Sequence, residues 1–188
     1  MKSKDYIDYF YKDFEGLEIN GSSDCESFFD KIQECLTLCQ SKGKKLMFIG
    51  NGASASMSSH YTLDFWKNGK IRAINFNDHA SLTAIGNDID YESVFSFPTE
   101  KFGDKGDILI SISSSGNSPN ILKAVKQAKE MGITNITLSG MKPDNKLRNL
   151  GDFNIYFPGK SYGFVESGHH LLIHQILDCF IKRQSKNG

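Results

Sequence analysis

The sequence is short of the features that mark several protein classes. Its 188 residues include four cysteines, four prolines and one tryptophan. Cys25, Cys35, Cys39 and Cys179 follow neither a zinc-knuckle nor a redox CxxC spacing. That argues against a disulfide framework and for small apolar roles in a reducing compartment. Excess charge is also missing: 22 basic residues face 22 acidic ones. The electrostatic case for nucleic acid or an anionic membrane as partner falls away with it. No apolar run approaches the roughly 20 residues a membrane-spanning helix needs. The opening MKSKDYIDYFYKDFE is too acidic and aromatic for a secretory signal, so a cytoplasmic location is expected. Neither GxGxxG nor GxxxxGK[ST] occurs, which leaves a nucleotide cofactor without a motif.

What is present is an alternation of short apolar runs with helical patterns. A short aromatic helix is predicted over 6–14. Ser23-Asp24-Cys25-Glu26 fits a capping box, Ser followed by Glu three residues on, opening a helix to about Gln40. Phe28, Phe29, Ile32, Leu36 and Cys39 recur there with helical spacing. Strands are predicted over 45–49, 72–76, 107–112, 135–139 and 152–157. Between them lie helical patterns from the Gly50–Ser54 turn to Trp66, then over 79–86, 91–102 and 119–131, with a helical turn at 146–150 and a closing helix over 165–182. This order implies a single α/β domain, a five-stranded parallel sheet flanked by helices, with an N-terminal helical extension. Residues 1–42 would form the N-terminal helices and 43–184 the α/β core.

Two polar loops each follow a predicted strand and open a helix, where ligands of parallel sheets bind. The first is Gly50-Asn51-Gly52-Ala53-Ser54; the second sits in ILISISSSGNSPN at 108–120. In the second, Ser113, Ser114, Ser115 and Ser118 stand at the start of a helix whose first turn accommodates Pro119. Backbone N–H groups, the helix dipole and hydroxyls together suit a small phosphate monoester. An ordinary helix-capping turn uses the same residue types. His60 and Asp64 are four apart on one helix, and Glu166, His170 and His174 share that spacing on another. Two imidazoles with two carboxylates suit a divalent metal, zinc among the candidates. A surface ion pair is the other reading of His60 with Asp64. Leu171, Leu172, Ile173, Ile176 and Leu177 mark the closing helix as a core element, in which ionisable groups need partners. Asp88 is either a sugar-hydroxyl acceptor or a cap for the following helix.

Together, GNGAS with His60, AIGND at 84–88, ISISSSGNSPN at 110–120 and His174 in the closing helix resemble the sugar isomerase (SIS) domain family. The closest branch is that of the sedoheptulose 7-phosphate isomerases, over about residues 20–184. The resemblance implies that Ser113, Ser114, Ser115 and Ser118 hold a sugar phosphate, and that Asn51, Gly52, Ala53, Ser54, Asn87 and Asp88 line the sugar. It implies a metal set of His60, Asp64, Glu166 and His174, with zinc as the expected ion. It further implies Asp64 and His174 as the acid/base pair, Glu166 as a substitute base, and a homotetramer with sites at subunit interfaces. The reaction implied is ketose–aldose isomerisation through an enediol, yielding D-glycero-D-manno-heptose 7-phosphate from sedoheptulose 7-phosphate. The alternatives are isomerisation of another ketose phosphate, and a non-catalytic regulator that binds phosphosugars or a protein. Against the family pattern, Asp64 stands for a Glu, Glu166 for a Gln, Ala53 for a Gly, and His170 for an apolar residue; Gly163 stands where some members carry an Asp.

Overall fold

The computed structural model describes residues 3–20 and 24–187. Helix α1 (Ser3–Glu15) leads to strand β1 (Glu18–Ile19), α2 (Cys25–Ser41), β2 (Lys45–Gly50) and α3 (Ala53–Lys67). Then follow β3 (Arg72–Asn75), α4 (His79–Asp88), α5 (Ser93–Phe102), β4 (Ile108–Ser113) and α6 (Pro119–Glu130). The chain finishes with β5 (Thr134–Gly140), a 3-10 turn (Lys146–Asn149), β6 (Phe153–Phe157) and α7 (Tyr162–Asn187).

The sheet has six strands, not five, in the order β1-β6-β5-β4-β2-β3. The five expected strands pair in parallel, and β1 adds antiparallel to β6 with Glu18 opposite Tyr156 and Ile19 opposite Ile155. A two-residue strand leaves no periodicity to detect. It forms because buried Ile19 fills the core while Asn20 takes the chain off through a left-handed φ of 38°. The capping-box Ser23 lies outside the described residues. The cap of α2 is Asp24, whose carboxylate accepts from Ser27 N at 3.2 Å.

Strands β2 and β4 are buried along their whole length, as parallel strands covered on both faces must be. Alternation splits them between two cores. Leu46 and Phe48 face a cluster built from α2, α3 and α7, while Met47 and Ile49 face one built from α4, α5 and α6. Helix α1 folds back on the first cluster: Tyr6 packs on Phe164 with ring centroids 4.5 Å apart, and Phe10 on Phe157 at 5.7 Å. Tyr9 and Tyr11 stay exposed.

The amino ends of β2 and β4 are tied by one buried carboxylate. Asp107 accepts from Lys45 N at 3.0 Å, from Lys45 Nζ at 2.6 Å and from Asp104 N at 2.8 Å. Burial works against the Lys45 ammonium, but the Asp107 and Asp104 carboxylates outweigh it and hold the group above the ordinary lysine range. No helix of the described residues is long and apolar enough to cross a membrane.

Candidate active site

At the carboxyl edge, β2 and β4 are neighbours from which the strand sequence departs in opposite directions. Their following loops therefore meet over a topological switch point. Gly50 ends β2 so close to α3 that a Cβ would lie 2.6 Å from the Ser54 carbonyl. Gly52 caps α3 at a φ of 56°, and Ser118 caps α6 with Pro119 in its first turn. Neither helix start carries a side-chain cap, whereas α2 and α4 are closed by Asp24 and Asp78. Side chains thus leave both helix starts open, although Ser54, Ala55 and Ile121 N already donate to the Asn51, Gly52 and Ser118 carbonyls.

These loops line a cavity of about 160 Å³ with Asn51, Ser54, Ser113, Ser114, Ser115, Ser118, Tyr162 and Glu166 on its walls. Its rigidity comes from clamps that sequence reasoning did not find. Asn51 and Asn120 exchange reciprocal amide hydrogen bonds of 3.0 and 2.9 Å, locking one loop to the other. Gly116, at a φ of 60°, passes so close to Asn145 that a Cβ would sit 2.0 Å from its Oδ1. Leu147 N donates to Gly116 O at 2.9 Å, and Lys146 N to Asn117 Oδ1 at 3.1 Å. The 3-10 turn therefore braces the serine loop from behind.

A second cavity, about 470 Å³, is lined by Ala53, Ser56, Met57, His60, Gly163, Glu166, Ser167 and His170. Glu166 belongs to both walls. Here α3 packs on α7 and brings three imidazoles together. The His60 ring lies 5.6 Å from that of His170 and 5.8 Å from that of His174, and His170 and His174 stack at 5.5 Å. His60 Nε2 lies 3.1 Å from Asp64 Oδ2. Buried Tyr61 reaches across from α3: its hydroxyl donates to the His170 carbonyl at 2.6 Å and its oxygen also meets His170 Nδ1. Burial, then the His174 and His60 rings, lower the His170 imidazole below its ordinary range. Burial, then the Asp64 and Asp178 carboxylates, raise the Tyr61 phenol.

Most of the sequence-predicted site residues are gathered here. Asp64 and His174 stand behind the second cavity, in contact with His60, and line neither wall. Asn87 and Asp88 do not join them: both are exposed at the end of α4, and Asn87 Nδ2 donates to Asp88 Oδ1 at 2.8 Å. The carboxylate that meets the start of α5 is that of Asp90, accepting from Ser93 N at 2.7 Å. His169 points away from the site and is fully buried, with Nε2 donating to Ser139 O at 3.0 Å. Among the described residues, no three His, Cys, Asp or Glu side chains converge closely enough to hold one ion. As they stand, His60, Asp64, Glu166 and His174 do not fit a common metal.

A family profile described as SIS domain matches residues 22–140. A phosphoheptose isomerase of Fusobacterium nucleatum subsp. nucleatum is 36% identical over 156 residues, covering 79% of each chain. One from Helicobacter pylori (strain Shi470) is 34% identical over 179 residues, covering 92% of each. The solved structure of a phosphoheptose isomerase from Neisseria gonorrhoeae superposes with a TM-score of 0.80 at 28% identity, covering 94% of this chain and 96% of that one. The serine-lined cavity, the histidine cavity beside it and these likenesses agree: the chain belongs to the SIS domain family, in the branch of the phosphoheptose isomerases.

Proposed function

We propose that this isomerase converts sedoheptulose 7-phosphate into D-glycero-D-manno-heptose 7-phosphate. The observation that carries the reading is the single carboxylate, Glu166, shared by the serine-lined cavity and the histidine-lined one. The smaller cavity suits a phosphate group, held by the hydroxyls of Ser113, Ser114, Ser115 and Ser118 and by N–H groups at the starts of α3 and α6. The sugar then has one direction to run, past Glu166 into the larger cavity.

Isomerisation needs a base beside the carbon next to the carbonyl and a donor near the oxygens that exchange charge. Glu166 is the carboxylate available on that path, and we assign it the proton abstraction and its return to the neighbouring carbon. His60, with Asp64 Oδ2 3.1 Å from its Nε2, presents its ring to the same cavity and serves the oxygens. His174 packs against His60 and His170 from behind. No step is routed through a metal, because His60, Asp64, Glu166 and His174 do not converge on a common ion among the described residues. The proton transfers assigned here use the chain's own side chains. A homotetramer, supported by the exposed Tyr9 and Tyr11 of α1, and a cytoplasmic location complete the proposal.

The test is incubation of purified, metal-analysed protein with sedoheptulose 7-phosphate, following the aldose by NMR. Appearance of the aldoheptose phosphate, lost by a factor of about 10² or more in Glu166→Gln, supports the reading. A marked preference for a pentulose or hexulose phosphate moves the assignment to another ketose phosphate. Full turnover in Glu166→Gln removes Glu166 as the base.

A further inference from the structure

The Tyr61 hydroxyl has one proton and two partners. A carbonyl oxygen can only accept, so the 2.6 Å contact to His170 O commits that proton to the carbonyl. His170 Nδ1 lies against the same phenol oxygen. It can do so favourably only by donating, which puts the ring proton on Nδ1 and leaves Nε2 with a lone pair. Tyr61 is fully buried on α3 and its position is set by core packing, so it fixes both the tautomer and the ring angle. His170 is half-buried and lines the larger cavity, one turn of α7, about 6 Å, beyond Glu166.

We propose that His170 Nε2 is a specificity-determining acceptor for a hydroxyl of the bound sugar, and that Tyr61 is the positioning residue that keeps its lone pair free. This rests on the sugar phosphate reading above. With phosphate in the serine-lined cavity and the chain running past Glu166, the sugar hydroxyls pass the His170 edge of the wall. Besides the Glu166 carboxylate and the His60 ring, which is engaged with Asp64, the polar side chains on that wall are Ser56, Ser167 and His170, so the His170 lone pair is an acceptor held at its own point of the wall. Covering an acceptor without giving it a partner is costly, so a ligand whose hydroxyl donates to Nε2 is favoured over one that offers a methylene there.

The tautomer is readable without turnover, by NMR of protein labelled with 15N-histidine. The expected spectrum has His170 Nε2 unprotonated and Nδ1 protonated, and Tyr61→Phe mixes the two forms while the other histidines keep their shifts. Adding sedoheptulose 7-phosphate is expected to move His170 Nε2, whereas inorganic phosphate moves only the serine-loop amides. In kinetics, Tyr61→Phe and His170→Leu are each expected to raise KM about tenfold with a smaller change in kcat. A protonated Nε2 in the unmodified protein overturns the proposal. So does a sugar phosphate that shifts the serine loop and leaves His170 unmoved, an outcome that leaves the isomerase reading standing. If sugar phosphate moves neither, both fail together.

Discussion

Gly116 shows how closely a binding loop can depend on one missing methyl group. Its φ of 60° and the 2.0 Å gap to Asn145 Oδ1 leave no room for a side chain. Gly116→Ala should lose about 1–2 kcal/mol from the left-handed backbone alone, with the Asn145 clash added. Because the loop must move to relieve it, sugar phosphate affinity should fall about tenfold or more, readable as KM beside a thermal melt. Glu166 and Asp64 permit a second test. Asp64 is held on His60 and lines neither cavity, so Glu166→Gln should be crippled, whereas Asp64→Glu/Glu166→Gln, whose longer side chain at 64 reaches further, should recover part of kcat. An unrescued double variant would mean that the carboxylate works only from α7. The serines of the loop stand out in the sequence because four hydroxyls crowd into six residues between a strand and a helix, and the structure sets them on one cavity wall. Asn120, Asn145 and Tyr61 do not stand out, since an amide or a tyrosine within a helical pattern looks like any cap or core residue until its partner, tens of residues away, is known.

At the level of elements, the two ends of the sheet have separate tasks. The carboxyl edge carries the proposed binding loops, and the amino edge is held by Asp107 and Lys45. Asp107→Ala would leave the Lys45 ammonium with Asp104 alone at 3.0 Å and the strand N–H of Lys45 unpaired, which costs about 3 kcal/mol and lowers the melting temperature by roughly 6–12 °C. The folded enzyme should keep its KM, because the change lies a full strand length from the site. A raised KM would show that the two edges are coupled. The five parallel strands could be read from composition, since Lys45–Gly50 and Ile108–Ser113 are near-continuous apolar runs bounded by glycine or serine turns. Strand β1 could not, because Glu18–Ile19 is defined by its partner β6 and by nothing in its own two residues. At the start of α2 the sequence offers Ser23, which lies outside the described residues, beside Asp24, whose carboxylate accepts from Ser27 N.

For the whole molecule, one buried imidazole ties stability to pH. Desolvation, only partly offset by the Ser139 carbonyl, lowers the His169 pKa to about 4. The unfolded chain, with histidine near its ordinary value of about 6.5, then binds more protons than the fold between those two values. The stability His169 contributes is complete above about pH 6.5 and is lost as pH falls toward 4, by up to about 3 kcal/mol. Urea unfolding at pH 7.5 and pH 5 should show the loss, and His169→Gln should flatten the slope. An unchanged slope would place the effect in other groups. The overall layers and the positions of the two polar loops were legible because each is local in sequence. The joining of first elements to last was not: Glu18 pairs with Arg148, Asn154 N donates to Asn20 Oδ1 at 2.6 Å, and Tyr6 and Phe10 pack on Phe164 and Phe157. That closure has a consequence for how the protein is made. A ribosome adding roughly 5–20 residues per second releases the aromatic face of α1 on the order of ten seconds before β6 and α7 exist to cover it. The nascent chain must therefore be shielded over that interval, and its final docking step can occur only once synthesis is nearly complete.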